Sequence, residues 1–232
     1  SGSGGNLNLQ NLPREELFGV NLRHLIHAPE GRKLVVVDLS QIEVRTLCWL
    51  AGDKKTLKEI EKSDDIYEAF AISMGLWSEE QGVLKREDPS LRHKVKAIVL
   101  GCGYGAGAKT FSYMYDMPLE EAQEAVDLYR TSLKKIPAYW RKINQKLQNC
   151  YNTRIPFTEP LPSGRSINYG RTKLTRQKSG VQHSALMNRN GKRLPMRLWG
   201  GVVAENLSQG LARDIFSDMM LRIEEAGIKI IF

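Results

Sequence analysis

Between Leu34 and Asp38 the chain reads LVVVD, a continuous β-branched run without helical period, which predicts a buried strand. The pattern changes at once. In IEVRTLCWLA, Ile42 to Ala51, apolar residues return at helical spacing, and Gly52 stands where a left-handed cap would close the helix. Asp64 and Asp65 open a further helix, DIYEAFAISMG, that Gly75 closes. After Pro89, SLRHKVKAIVLG predicts a more basic helix, and helical stretches follow over about 107–116, 119–134 and 137–152. TRIPF, LPSGRSINY and GRTKLTRQ read as short strands turning around Gly164 and Gly170, a hairpin region. Gly201 to Ala226 is a long amphipathic helix, and GIKIIF starts a second apolar strand. Upstream, NLNLQNLPREELFG is polar and broken by Pro13, which marks a loop or extended segment, and SGSGG is a flexible segment or linker. The expected class is α+β, mostly helical.

Composition sets limits on this picture. A chain of 232 residues, 41% hydrophobic and 26% charged, can bury a full core. No run reaches the roughly 18 apolar residues that would span a bilayer, and the N-terminus lacks a secretory pattern, so a cytoplasmic protein without a membrane partner is expected. Cys48, Cys102 and Cys150 are odd in number and widely spaced, as reduced thiols are. Charge is more informative. The net charge is +8, yet residues 130–200 hold 16 Lys/Arg and one acid, Glu159, while the remainder carries an acidic excess. Segregation of this kind points to a polyanion, and nucleic acid is the densest one available. A solvated basic surface that binds nothing is the plain alternative.

Two places could carry chemistry. Asp38, at the tip of its strand and beside the Leu39 carbonyl, offers oxygen ligands to a hard cation such as Mg²⁺. It would serve equally well as an ordinary cap for the helix that follows. On the helix Leu91–Gly105, Arg92, Lys96, Leu100 and Tyr104 recur every four residues and share one drifting face. Two cations followed by an apolar and an aromatic side chain could read a nucleotide, phosphates first and then sugar and base. A basic amphipathic helix packing Leu100 and Tyr104 into the core explains the same spacing. GCGYGAG is no phosphate loop: it follows a helix and lacks both the dinucleotide fingerprint and the Lys-Ser/Thr of a P-loop.

DLSQIEVR, then RHKVKAIVLGCGYG, then ENLSQG on a late helix resemble the polymerase domain of family A DNA polymerases, and QNLPR and LPSGRSINY resemble its phage members. The likeness covers about Leu9 to Phe232. It implies a polymerase palm with an antiparallel sheet and a mostly helical fingers subdomain. After a flexible segment 1–8, a first palm part would span 9–63, the fingers 64–155 with a nucleotide-binding helix 90–105, and a hairpin with a second palm part 156–232. The implied activity is template-directed transfer of a nucleotide from a dNTP to a primer 3′-hydroxyl on primer–template DNA, with two Mg²⁺ ions. By the resemblance, Asp38 and the Leu39 carbonyl bind metal, and Arg92 and Lys96 grip the triphosphate. Lys96 is also the proton donor to pyrophosphate. Glu43 is the gate that crowds a ribose 2′-hydroxyl, with the Tyr104 hydroxyl as its partner, and Tyr104 also lies beside the template base. Gln41 and Arg45 support the site and the primer side. Gln10, Asn11, Arg14 and Gln209 contact the minor groove, and the basic stretch 130–200 holds duplex phosphates.

The sequence also departs from that family. Leu100 stands where Phe or Tyr is usual four residues after the lysine, Tyr67 replaces a common His, and Arg14 lies one residue closer to Gln10 than in bacterial members. The family's third motif, His-Asp-Glu after a strand like GIKIIF, is not reached before Phe232. The expectation is therefore a palm-and-fingers fragment with little or no activity alone, completed by the missing segment in cis or on a separate chain. Two rival readings remain. A single-subunit RNA polymerase would have no use for Glu43, and a non-catalytic DNA-binding module would have no need of Asp38, Glu43, Arg92, Lys96 and Tyr104 together.

Overall fold

The computed structural model describes residues 12–13, 15–177, 180–189 and 191–231. They divide into two compact units, one within Ser1–Ser40 and Met219–Phe232 and the other Gln41–Asp218. Gln10, Asn11 and Arg14 lie outside the described residues.

The larger unit is built mainly of helices: α1 (Ile42–Ala51), α2 (Lys54–Lys62), α3 (Ile66–Ser73), α4 (Leu84–Glu87), α5 (Pro89–Cys102), α6 (Ala108–Tyr115), α7 (Leu119–Ser132) and α8 (Lys135–Asn152). Five strands follow, β1 (Phe157–Pro160), β2 (Ser166–Gly170), β3 (Lys173–Gln177), β4 (Gly180–Arg189) and β5 (Lys192–Leu198), and then helix α9 (Gly200–Glu225), which belongs to this unit as far as Asp218. β1 and β2 form one antiparallel pair, and β3-β4-β5 form a three-stranded antiparallel sheet. The expected α+β class is the one observed.

Local chemistry sets most of these boundaries. Gly52 closes α1 at φ 68°, with its N–H on the Cys48 and Trp49 carbonyls. Asp53 then caps α2, accepting from Thr56 N at 3.2 Å and from its hydroxyl at 2.9 Å. The short stretch between Gly52 and Ser63 carries a single-turn apolar signal, which is why the pattern alone did not reveal α2. Asp65 caps α3 through Tyr67 N, and Asp88 caps α5 through Leu91 N with Pro89 in the first turn.

The core lies in this unit. α8 contributes a stripe at three- and four-residue spacing, Ile136, Trp140, Ile143 and Leu147, all buried. α5 buries Val95, Ile98, Val99 and Cys102 on one side and leaves Lys96 and Leu100 on the other. Where α9 begins, backbones come into contact. A Cβ on Gly200 would sit 2.1 Å from the Trp140 carbonyl oxygen, and one on Gly201 would sit 2.1 Å from that of Tyr104. Thr46 on α1 donates to the Ser208 carbonyl at 3.2 Å, and Asn206 donates to the Tyr169 hydroxyl at 2.9 Å, so α9 is pinned to α1 and to β2.

Four expectations are corrected. Leu34–Asp38 forms no strand: Val35, Val36 and Val37 are 81, 93 and 63% exposed. The segment 228–231 forms none either, and Ile228 and Ile231 are exposed. A strand exists only through its ladder partner, and among the described residues neither stretch has one. The basic helix stops at Cys102, so Tyr104 lies past its end, in a turn where Gly105 takes φ 82°. β4 and β5 were not foreseen, because GVQHSALMNR mixes its polar and apolar positions and Pro195 argues against a strand. β5 is the sheet's edge, where a missing N–H costs no ladder bond.

Two outcomes follow from this packing. Gly201→Ala should lower the urea midpoint at unchanged m, by about 1–3 kcal/mol or more, since overpacking here meets backbone. Burial first, and then Glu159, push the Tyr139 and Tyr169 phenols up to about 12. An unfolded chain releases these protons near pH 10, so the unfolded state gains across that window. Denaturant titrations should show stability constant up to about pH 10 and falling toward pH 12, together with the phenolate absorbance.

Candidate functional site

Within the larger unit, three segments of the chain bring charged groups together. α5 presents Arg92, Lys96 and Leu100 along one face. Lys96 and Leu100 are exposed, and Lys96 has no ion-pair partner among the described residues. Arg92 is different. Its guanidinium donates to both carboxylate oxygens of Asp65 and lies 5.1 Å from the centroid of the Tyr67 ring. The hydrogen bond to Asp65 is the main cause that raises the Arg92 pKa further, so its charge is fixed. Asp65 thus does two things: it caps α3 and holds the first cation of α5. The sequence had marked it only as a helix-opening acid.

The second segment is α1. Glu43 is exposed near its start, while Val44, Leu47 and Cys48 are buried beneath it. Gln41 immediately precedes the helix in a left-handed conformation, φ 42°, a backbone state unusual outside glycine. Arg45, half-buried, lies on the same helix.

The third is the turn after α5 together with α9. Tyr104 is half-buried, and its phenol is held well above the usual range. Burial is the first cause and the Glu43 carboxylate the second; Glu205 adds to them, and the Ser208 hydroxyl opposes them. Glu205, on α9, has its own carboxyl raised by burial and then by Glu43. Glu43, Tyr104 and Glu205 therefore form one electrostatic group drawn from α1, the end of α5 and α9. The phenol in it stays protonated. Glu205 was not among the candidate residues. The only signal for it was its place four residues before Gln209, on the same face of α9, where Gln209 is exposed.

Asp38 and Leu39 belong to the smaller unit, outside any helix or strand; Asp38 is exposed and Leu39 half-buried. Among the described residues no three His, Cys, Asp or Glu side chains gather at one place. One carboxylate and one neighbouring carbonyl fall short of the oxygen set that Mg²⁺ takes. The described residues of this chain do not by themselves fit a complete magnesium site. Among the described residues no helix is long and apolar enough to cross a membrane.

Comparison with known proteins places this geometry. A family model described as DNA polymerase family A matches residues 3–229. A DNA polymerase of Bacillus phage SP02 is 32% identical over 224 residues, covering 86% of this chain and 34% of the relative. The thermostable DNA polymerase I of Thermus aquaticus is 35% identical over 136 residues, covering 58% of this chain and 16% of that protein. The chain thus spans about a third of the phage relative's length and less of the bacterial one's. Among solved structures, the POL domain of Pol1 from M. smegmatis, in complex with DNA primer-template and dNTP, has a TM-score of 0.62 at 22% identity. That match covers 96% of this chain and 35% of that one, and it supports the fold. With a family model that runs along nearly the whole sequence and a fold that agrees with it, the assignment is plain: the chain belongs to DNA polymerase family A.

Proposed function

We propose that this chain supplies the nucleotide-binding part of a template-directed DNA polymerase, one that extends a primer 3′-hydroxyl with deoxynucleoside triphosphates. The observation that carries the reading is the coupling of Glu43 to Tyr104. A carboxylate on α1 helps to raise the pKa of a phenol past α5, although the sequence assigns the two to separate motifs. A glutamate held in this way against the incoming sugar leaves no space for a 2′-oxygen, and the phenol restrains it. Lys96, exposed and without an ion-pair partner among the described residues, is the charge available to the triphosphate and the donor for the leaving pyrophosphate. Arg92 is less free: it reaches phosphate only by sharing with or releasing Asp65. Leu100, exposed one turn beyond Lys96, gives the base or sugar an apolar surface without aromatic stacking. Gln209 serves the primer–template minor groove, as do Gln10, Asn11 and Arg14, and Gln41 and Arg45 support the primer side.

Asp38 and the Leu39 carbonyl contribute one carboxylate and one carbonyl to a divalent-cation site, magnesium in this reading, whose other protein ligands come from polypeptide outside this sequence, in cis or on a separate chain. The exposed valines beside Asp38 support this, since an apolar β-branched run outside any sheet leaves its surface open to a partner. The place of action is the cytoplasm of a bacterium or of a phage-infected host. A second reading, a non-catalytic DNA-binding module on the same fold, draws on the lack of a ligand cluster among the described residues.

Primer extension separates these readings. The chain alone should extend poorly, and added polypeptide carrying a second carboxylate motif should restore extension that depends on magnesium. In the completed enzyme, Asp38→Ala should abolish extension while duplex binding stays salt-sensitive; undiminished extension would leave Asp38 without a part in the reaction. Glu43→Ala should raise ribonucleotide incorporation relative to deoxynucleotide by on the order of 10–200-fold, the range for small steric differences in a pocket. A wild-type enzyme that already prefers ribonucleotides would place the chain with the RNA polymerases instead.

A further inference from the structure

The basic half of the chain contains a cleft that the nucleotide site does not use. It lies between the end of α8 and the β2–β3 connection, has a volume of ≈ 420 Å³, and is lined by Tyr151, Arg154, Ile155, Arg171 and Thr172 among others. Neither guanidinium meets a carboxylate among the described residues. Thr172 has a hydroxyl oxygen that is buried and has no hydrogen-bond partner there. No acid lines the cleft, and residues 160–204 contain none at all. Two unneutralised cations at one cavity repel each other unless an anion joins them.

Arg154 supplies a second, independent observation. α8 ends in a paired backbone closure, with Ile155 N on the Cys150 carbonyl at 3.0 Å and Arg154 N on the Tyr151 carbonyl at 3.2 Å. The residue between cap and exit in such a closure takes left-handed backbone, and glycine normally fills it. Here arginine does, at φ 58°. A bulky side chain at that position is strained, and strain of this kind persists where the side chain is needed. The side chain it retains is the one that lines the cleft.

We propose that Arg154 and Arg171 form a phosphate-binding cleft that takes a backbone phosphodiester of the bound DNA. The inference rests on the DNA-binding reading above and adds the place of one contact. A phosphodiester fits better than a free nucleotide, because the guanidiniums are exposed, the lining has no stacked aromatic pair to hold a base, and basic residues continue along the chain through Lys173 and Arg176. Contact of this type positions a strand without reading its sequence.

The test compares the 232-residue chain with Arg154→Gly, Arg171→Ala and the double variant, measuring duplex DNA binding by fluorescence anisotropy across a salt series. Each variant should reduce the slope of log affinity against log salt by about 0.9, and the double variant should lose on the order of tenfold or more in affinity at low salt. Arg154→Gly should melt at the same temperature as wild type or higher, because glycine suits the left-handed position. Lys54→Ala on α2 makes the same charge change elsewhere and should shift the slope less than either arginine variant; an equal shift would mean general electrostatics and would overturn the proposal. Unchanged affinity and slope in the double variant would also overturn it, as would loss of inorganic pyrophosphate binding with DNA binding intact. A wild-type chain that bound no duplex would instead bring down the DNA-binding reading itself.

Discussion

The larger unit depends on a close approach of backbones at the start of α9. Gly200 and Gly201 let this helix come so near to the Trp140 and Tyr104 carbonyls that no side chain could stand between them. Interiors packed to this density transmit displacement, since they have little free space to absorb it. The approach fixes the position of Tyr104 relative to α9, and therefore how near its phenol lies to Glu205. Thr46, donating to the Ser208 carbonyl, ties α1 and so Glu43 to the same helix. The group of two carboxylates and one phenol is a product of this one helix contact.

The cations of α5 show the same logic in a looser form. Helical spacing puts Arg92 and Lys96 on one face, but packing gives them different states. Arg92 sits near the N-terminus of α3, where Asp65 and the Tyr67 ring hold it, and Lys96 projects from the next turn without an ion-pair partner among the described residues. One is a held charge and the other a freely available one. The two differ in what an anion would cost them, because a held guanidinium has less conformational freedom to lose on binding than an exposed lysine. The Asp65 link also joins α3 to α5, so Arg92 is tied to the helix that carries Tyr67.

The smaller unit makes the complementary point. None of its described residues is buried, and three consecutive valines face solvent. Apolar β-branched residues favour extended backbone but cannot form a sheet alone; the hydrogen-bond partner and the covering layer have to come from other chain segments. Asp38 inherits this condition. A carboxylate at the end of a segment that has no ladder partner among the described residues is open to solvent but not organised to bind a cation.

Much of the protein was legible in its sequence. Helical period, the acids at Asp64 and Asp65, Pro89 and the glycine after Ala51 located α1, α3, α5, α6, α7, α8 and α9, because these are interactions between near neighbours in the chain. Family motifs named the candidate residues for the same reason: their order is linear. Tertiary structure alone decided the rest. It left Leu34–Asp38 without a ladder partner among the described residues, ended α5 before Tyr104, made an edge strand around Pro195, engaged Arg92 with Asp65 and brought Glu205 to Glu43. Each of these outcomes depends on which distant segments meet, and local patterns of hydrophobicity and charge carry no record of that.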